Sequence, residues 1–326
     1  EQISAPTAIG NRDRAKGFDS DLPISSVPPA PVDYHRKLSD YLYHFTYWLS
    51  TVRLVVSWII DPTKQRIVVM STLEIEQIAT RNDNYVYLIR DISSNRVAAV
   101  DPSDADPVIE ALNKLDWVLT DIINTHHHND HTGGNLELKD KYNCSITGPR
   151  ADHDRIAGID SDVGDGDRYF LGESEAMVFD TPGHTRGHIA FWFPESSALF
   201  CGDTLFALGC GRTFEGTPQQ MWESLKKLRN LPDETRVFCA HEYTQSNAKF
   251  AVSVDSKNEK LLKRAEKIDK LRAENKRTVP SLLGDEKETN PFLRCDMESI
   301  ANAVSLDAND PVTVFAEVRL RKDNFS

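Results

Sequence analysis

The 326-residue sequence predicts an α/β protein, and two observations carry this prediction. Short apolar segments with the length of strands alternate with segments that have helical periodicity. Histidine and aspartate side chains follow four of the apolar segments directly. Both observations indicate a sheet covered by helices, with polar side chains gathered along one sheet edge.

The order of elements is clearest where the regular pattern begins. Residues 84–92 and 96–100 flank a Ser-Ser-Asn turn, so they predict two paired strands. Residues 106–115 predict a helix, and residues 117–123 predict the strand that follows it.

A change of composition after about residue 250 predicts a second, helical region. Apolar residues recur there at helical spacing among many charged residues, at Leu261, Ala265, Ile268 and Leu271. This spacing predicts an amphipathic helix with a solvated charged face, and Pro280 prevents it from continuing far.

Residues 125–131 read Thr-His-His-His-Asn-Asp-His, which is typical of a metal site. In an extended chain, side chains two residues apart point the same way. His126 and His128 can therefore bind one ion together, while His127 points elsewhere. Asp130 and His131 come after the turn and could bind a second ion.

Three later motifs each place one more ligand at the end of a predicted strand. His184 lies in a Pro-Gly turn after the apolar run 176–179, and Asp203 and His241 likewise follow short apolar runs. Seven of the ten histidines lie in these segments, so an accidental grouping in polar loops is a poor explanation.

Counting these ligands predicts two metal ions. The first triad would be His126, His128 and His184, the second Asp130, His131 and His241, and Asp203 would bridge the two ions. Nitrogen and oxygen ligands without thiolate suit zinc, iron or manganese. We expect two divalent ions per chain, with zinc first and iron or manganese as alternatives.

The motifs together resemble a known family. A His-x-His-x-Asp-His segment, a Gly-His turn, a Gly-Asp strand end and a later histidine are similar to the metallo-β-lactamase superfamily. Four further segments narrow the resemblance to the hydroxyacylglutathione hydrolases, or glyoxalase II: residues 209–216, 241–251, 290–292 and 318–323. The resemblance runs from about Met70 to the C-terminus.

This resemblance implies an αβ/βα sandwich at residues 70–245 and a smaller helical glutathione-binding domain at residues 246–326. It implies hydrolysis of S-(2-hydroxyacyl)glutathione, chiefly S-D-lactoylglutathione, to glutathione and D-lactate in methylglyoxal detoxification. A hydroxide bound by the two metal ions would be the nucleophile, with Asp130 and Asp203 as the catalytic carboxylates.

The resemblance also implies a glutathione site, whose matching positions are Arg212, Phe214, Tyr243, Arg319 and Lys322. Arg212 stands where lysine is common, and Phe214 where tyrosine is common. Arginine keeps the charge in a different geometry, and phenylalanine loses one hydrogen bond, worth about 0.5 to 1.5 kcal/mol. The alternative for Arg319 and Lys322 is an ordinary solvated tail.

Charge and cysteine content constrain the partners. The net charge of −12 argues against nucleic acid and requires a local basic patch for an anionic glutathione conjugate. We expect a small-molecule partner and a monomer. The five cysteines form no Cys-x-x-Cys pair, which indicates reduced thiols in an intracellular compartment, either the cytoplasm or an organelle such as the mitochondrion.

Other members of the superfamily offer alternatives. A glutathione persulfide sulfur dioxygenase shares the first motif, but the His-Glu-Tyr turn and the basic tail favour the thioesterase. A lactonase or β-lactamase would not need such a tail. A metal-bound scaffold without catalysis is disfavoured, because competent residues fill all seven ligand positions.

Residues 1–69 lie outside the resemblance. We interpret them as an N-terminal extension, either a remnant of a targeting precursor or upstream sequence translated in a gene model that starts at Met70. Residues 1–33 are rich in Pro, Ser and Asp and are expected to be disordered. Residues 41–60 are apolar enough to suggest a membrane span, but the charge of Arg53 argues against one.

Overall fold

The computed structural model describes residues 72–325. The expectations for residues 1–69 lie outside these described residues. Within residues 72–325, no helix is both long and apolar enough to cross a membrane.

Fourteen strands form two large sheets and one hairpin across the described residues. The strands are β1 (Leu73–Thr80), β2 (Asn84–Asp91), β3 (Val97–Val100), β4 (Asp121–Ile123), β5 (Ser145–Pro149), β6 (Ser161–Val163), β7 (Arg168–Leu171), β8 (Ser174–Asp180), β9 (Ile189–Phe193), β10 (Ala198–Gly202), β11 (Leu205–Phe206), β12 (Gly209–Cys210), β13 (Arg236–Cys239) and β14 (Ser281–Leu282). The first sheet has the order β1-β2-β3-β4-β5-β6, and the second has the order β14-β13-β10-β9-β8-β7. Strands β11 and β12 form the hairpin.

Nine α-helices connect and cover these sheets in the described part of the chain. They are α1 (Ala105–Leu115), α2 (Asn129–Thr132), α3 (Asn135–Tyr142), α4 (Pro218–Arg229), α5 (Thr244–Val254), α6 (Glu259–Ala273), α7 (Leu283–Thr289), α8 (Glu298–Ala303) and α9 (Pro311–Asp323). Short 3-10 turns lie at Arg150–Arg155, Pro194–Ser196 and Pro291–Leu293.

The alternating side chains of β2 show how the layers are built. Tyr85 and Tyr87 point into the core that also contains residues of the second sheet, such as Phe200. Val86 and Leu88 point the other way, into a separate core formed with helices α1 and α3. Because both faces of the strand are buried, its sequence is continuously apolar or aromatic from Tyr85 to Ile89 rather than alternating with polar residues.

The predicted αβ/βα sandwich with C-terminal helices is confirmed by these layers and by the fold neighbours described below. The predicted strand pair, helix α1 and the amphipathic helix α6 are all present.

The strand expected at residues 117–123 begins later than predicted. Asp116 ends helix α1 with a left-handed conformation, φ 55°, and residues 117–120 cross from the helix to the sheet without strand structure. Only Asp121–Ile123 pair with β3 and β5. The Arg90 guanidinium lies over the Trp117 ring, 5.1 Å from the ring centroid. The apolar Trp117 side chain therefore makes a packing contact and does not extend the strand.

A buried ion pair joins helices α6 and α7. The Arg264 guanidinium contacts the Glu286 carboxylate, and the two side chains are 14% and 0% exposed. The second oxygen of Glu286 accepts hydrogen bonds from the Leu208 backbone amide at 2.8 Å and from Asn290 Nδ2 at 3.1 Å. This carboxylate therefore connects the C-terminal helices to the β11–β12 hairpin.

We expect Arg264→Met to lower the free energy of unfolding by about 3 kcal/mol, because it leaves a buried carboxylate without its cation. Urea denaturation of the full chain measures this. Lys260→Met is the matched control, since Lys260 lies one turn away on α6 and its ion pair with Glu288 is exposed. That substitution should cost less than about 1 kcal/mol. Equal losses in the two variants would contradict the role given to Glu286.

Candidate metal centre

The ends of four strands meet at one edge of the sandwich. Strands β10 and β13 are parallel, and β8 runs in the same direction because β9 lies antiparallel between β8 and β10. Two backbone hydrogen bonds link the sheets at this edge: Ile189 N donates to Thr125 O at 2.9 Å, and Tyr85 N donates to Ala240 O at 2.7 Å. The loops after β4, β8, β10 and β13 are therefore brought together.

Three imidazoles from two of these loops form the first group. His126 Nε2 and His184 Nε2 each lie 3.1 Å from His128 Nδ1. His126 and His184 are buried, and His128 is half-buried. Three ring nitrogens that all lie within 4.8 Å of one another suit coordination of one cation.

Asp130, His131 and His241 form the second group. Asp130 Oδ2 lies 3.4 Å from His131 Nε2 and 3.5 Å from His241 Nε2. The Asn84 amide donates to the same Asp130 oxygen at 3.2 Å and orients it.

The Asp203 carboxylate lies between the two groups. Its Oδ2 is 3.3 Å from His184 Nε2, whereas its Oδ1 is 3.3 Å from His241 Nε2 and 3.6 Å from His131 Nε2. Asp203 is 6% exposed. Burial disfavours its charged form, but His241 and His131 hold the pKa of the carboxyl well below its usual range.

Two atoms at this point lack hydrogen-bond partners. Asp203 Oδ1 and His131 Nε2 are both buried and accept or donate no hydrogen bond among residues 72–325. A buried polar atom without a partner is costly, and a metal ion would satisfy both atoms at once. The residues present thus have the donor set and the unpartnered atoms of a divalent-metal site.

Burial keeps the imidazoles of the first group neutral. Burial and the neighbouring imidazoles lower the pKa of His126 well below the ordinary range, and the same causes lower the pKa of His128 to about 4. Burial also lowers the pKa of His184. His131, in the second group, differs: burial again opposes protonation, but the carboxylates of Asp203, Asp101 and Asp130 together outweigh burial and raise the pKa. Neutral imidazole is the form that binds a metal ion.

Hydrogen bonds on the far side of each ring orient the imidazoles. His131 Nδ1 lies 3.1 Å from Asp101 Oδ2, and His241 Nδ1 lies 2.9 Å from Asp83 Oδ1. His184 Nδ1 donates to the Arg212 carbonyl at 2.9 Å. With these acceptors, the three Nε2 atoms are left as lone-pair donors facing Asp203.

The sequence analysis did not identify Asp101 and Asp83, the two carboxylates that orient His131 and His241, although the sequence pattern around Asp101 could have indicated it. Asp101 follows β3 directly, in the same strand-end pattern that identified Asp203 and His241. Asp83 follows no apolar strand and gave no signal.

The remaining histidines of the motifs lie outside the two groups. His188 Nε2 accepts from the Asp203 backbone amide at 3.1 Å, and its Nδ1 contacts Thr181 Oγ1 at 2.9 Å. His127 points away from the centre and contacts Asp152, and His153 lies at the surface beside Asp162.

Gly202, the last residue of β10, allows the end of this strand to approach residues 125–131, which we call the metal-binding loop. Its φ of +46° lies in the left-handed region, and a Cβ atom there would lie 2.2 Å from Thr125 Oγ1. Only glycine combines that conformation with this close approach.

A cleft of ≈ 510 Å³ opens onto the two groups. All five predicted substrate residues line it, together with His128, Asp130, His184, Asp203 and His241. Tyr243 stacks on His241 with ring centroids 4.7 Å apart, and the exposed Phe214 ring lies 5.2 Å from the His184 ring. The cleft also contains Phe206 and Ser246, which the sequence did not indicate.

Arg319 is not part of a solvated tail, so that alternative is wrong for this residue. It lies in helix α9, is 7% exposed, and donates to the Cys210 carbonyl at 2.9 Å. Its guanidinium also pairs with Asp323 at 2.9 Å. Lys322 is half-buried, and its ammonium donates to Ser246 Oγ at 3.0 Å.

Polar side chains from the C-terminal residues hold the hairpin that separates Asp203 from Arg212. Asn290 Nδ2 donates to the carbonyls of Phe206 and Gly209 at 3.1 and 3.0 Å. Asn247 Nδ2 donates to the Ala207 carbonyl at 3.1 Å. These hydrogen bonds restrict the conformation of the β11–β12 hairpin beside the cleft.

Two families match consecutive parts of the chain between residues 79 and 325. Residues 79–241 match the metallo-beta-lactamase superfamily, and residues 242–325 match the hydroxyacylglutathione hydrolase C-terminus. A hydroxyacylglutathione hydrolase of Rhodospirillum rubrum is 56% identical over 256 residues, which cover 78% of this chain and 100% of the relative. A hydroxyacylglutathione hydrolase of Methylococcus capsulatus is 54% identical over 253 residues, covering 78% of this chain and 99% of the relative.

Solved structures support the fold. The B3 metallo-beta-lactamase BLEG-1 is similar with a TM-score of 0.53 and 21% identity, covering 68% of this chain and 99% of that chain. The ETHE1 protein of Myxococcus xanthus gives a TM-score of 0.53 and 24% identity, covering 78% of this chain and 100% of that chain. The fold, the two family matches and the identity to curated relatives agree: this chain belongs to the hydroxyacylglutathione hydrolase family of the metallo-β-lactamase superfamily.

Proposed function

We propose that this protein hydrolyses S-(2-hydroxyacyl)glutathione thioesters, with S-D-lactoylglutathione as the chief substrate, to glutathione and a 2-hydroxy acid. The observation that carries the proposal is the position of Asp203, whose two carboxylate oxygens face two different ligand groups at the floor of a cleft with cationic walls. We infer the substrate class, a glutathione thioester, from the relatives, which are named hydroxyacylglutathione hydrolases.

Two zinc ions would occupy the two groups. His126, His128 and His184 would hold one ion, Asp130, His131 and His241 the other, and Asp203 would bridge them. When bound, such ions acidify water and polarise a carbonyl oxygen. No serine or cysteine nucleophile is then needed, and burial raises the pKa of the cleft-lining Cys210 thiol to about 11, which keeps it unreactive.

The protein's own side chains would place the thioester at the centre. Phe214 lies against His184 and Tyr243 against His241, so the two rings flank the position where the acyl group would lie. The thiol of glutathione needs little help in leaving, because a free thiol has a pKa of about 8.5. We therefore assign no general acid.

The cations on the far wall would bind the glutathione carboxylates. Arg212, Arg319 and Lys322 converge there, and Asp323 contacts both arginines, at 3.4 Å from Arg212 Nε and 2.9 Å from Arg319 Nη2. In a chain with a net charge of −12, this patch would offset the repulsion of an anionic substrate.

We place the start of the glutathione-binding domain at about residue 246. This position lies within a few residues of the point where the match to the first family ends, at residue 241, and the match to the second begins, at residue 242.

The purified protein with two divalent ions per chain should release glutathione from S-D-lactoylglutathione. Loss of thioester absorbance measures turnover, and elemental analysis of the same sample measures the metals. Absence of turnover in a protein that holds two metal ions would refute the thioesterase. Oxygen consumption with glutathione persulfide, measured in parallel, would instead identify the dioxygenase alternative.

Asp203→Ala should lose at least one metal ion and lower kcat more than about a hundredfold, because it removes the carboxylate that faces both groups. Metal content per chain is the primary measurement. Asp162→Ala is the control, since Asp162 is a surface aspartate paired with Arg150 and His153. A full complement of metal in Asp203→Ala would refute the bridging role.

Arg319→Met should raise KM about tenfold or more and change kcat less, because it removes a charged hydrogen-bond donor from the substrate wall. Arg321→Met is the matched control on the same helix, where Arg321 pairs with Glu317 outside the cleft. If KM were unchanged in Arg319→Met, this side chain would have only a structural role through Cys210.

A further inference from the structure

The cleft wall is formed partly by residues 211–217, which we call the cleft loop. It carries Arg212 and Phe214, and it runs from the β11–β12 hairpin to Thr217, the N-cap of helix α4. Phe214 is 63% exposed, so packing around its own side chain cannot determine its position over His184. Contacts of other residues in the cleft loop must therefore fix its position.

The neighbouring Glu215 makes the contacts that hold it. Glu215 Oε1 accepts from Arg155 Nη2 at 2.5 Å, and Oε2 accepts from Arg155 Nη1 at 3.0 Å and from the Arg186 backbone amide at 2.9 Å. The Arg155 guanidinium thus donates to both carboxylate oxygens in a bidentate arrangement, the strongest form of arginine–carboxylate pairing. This contact with Arg155 lowers the pKa of Glu215 to about 2.

Arg155 is in turn tied to the metal-binding loop. Its Nη2 lies 2.6 Å from His127 Nε2, and its Nη1 donates to Asp152 Oδ1 at 3.2 Å. Because a guanidinium only donates hydrogen bonds, His127 Nε2 must accept. The proton of the neutral ring then lies on Nδ1, which donates to Asp152 Oδ2 at 2.8 Å.

A backbone contact completes the attachment on the other side. The Gly216 amide donates to the Gly183 carbonyl at 3.0 Å, and a Cβ atom at Gly216 would lie 2.6 Å from Gly183 Cα. The cleft loop is therefore anchored between the turn that carries His184 and the side chain of Arg155.

We infer that Arg155 and Glu215 are positioning residues that hold the cleft loop, with Arg212 and Phe214, in the place where it binds the glutathione part of the substrate. His127, the histidine between two ligand positions, belongs to this network and couples the cleft loop to the metal-binding loop. The inference deepens the proposed function and rests on it for the identity of the substrate.

Arg155→Met and Glu215→Gln should each raise KM for S-D-lactoylglutathione and the Kd for glutathione about fivefold, with kcat within about twofold and unchanged metal content. The double variant should be no worse than either single variant, because both remove the same interaction. Arg155→Lys should fall between Arg155→Met and the wild type, since it keeps the charge but loses the fork. Calorimetry with glutathione measures Kd without turnover.

Arg150→Met is the matched control: Arg150 begins the same 3-10 turn but pairs with Asp162 and Asp167 at the surface. An unchanged KM and Kd in both single variants would overturn the inference. So would loss of metal or kcat with KM unchanged, which would place the effect at His127 instead. If the wild-type protein neither hydrolysed the thioester nor bound glutathione, the proposed function itself would fail.

Discussion

A carboxylate buried among imidazoles imposes the strictest requirement on this fold. Asp203 is almost fully buried, and its carboxylate oxygens lie 3.3 to 3.6 Å from ring nitrogens of His131, His184 and His241. Its Oδ1 accepts no hydrogen bond within residues 72–325. A buried charge needs a compensating partner. The partners come from three loops, so the ends of β4, β8 and β13 must stay in register with the end of β10 for the centre to exist.

Residues of the C-terminal helices and turns support the centre indirectly, through hydrogen bonds to the hairpin that follows Asp203. Asn247, Asn290, Glu286 and Arg319 all hydrogen-bond to the backbone of the β11–β12 hairpin, which leads from Asp203 to the cleft loop. From the other side, Arg155 holds the same loop through Glu215. The cleft wall is thus held by polar contacts at both ends, while its aromatic side chains stay exposed for a ligand.

The elements that could be predicted from sequence were those with a strong local pattern. Periodicity identified β2, β3, α1 and α6. The histidine-rich segment at residues 125–131 and three later strand ends together indicated seven ligand positions, which the structure brings within a few ångströms of each other. Residues 117–120 were predicted wrongly, because an apolar run does not reveal that Trp117 packs against Arg90. The ligand assignments themselves stay predictions, as do the domain boundaries.

By itself, the sequence determined the family and the types of side chain that gather at the centre, because residue types and their local spacing are properties of short segments. Tertiary structure alone decided which side chains support them. Asp83 reaches His241, Arg319 reaches the Cys210 carbonyl, and Arg155 reaches Glu215 across 60 residues or more. No local pattern encodes such contacts, since they depend on how separate loops and helices meet after the layers have packed.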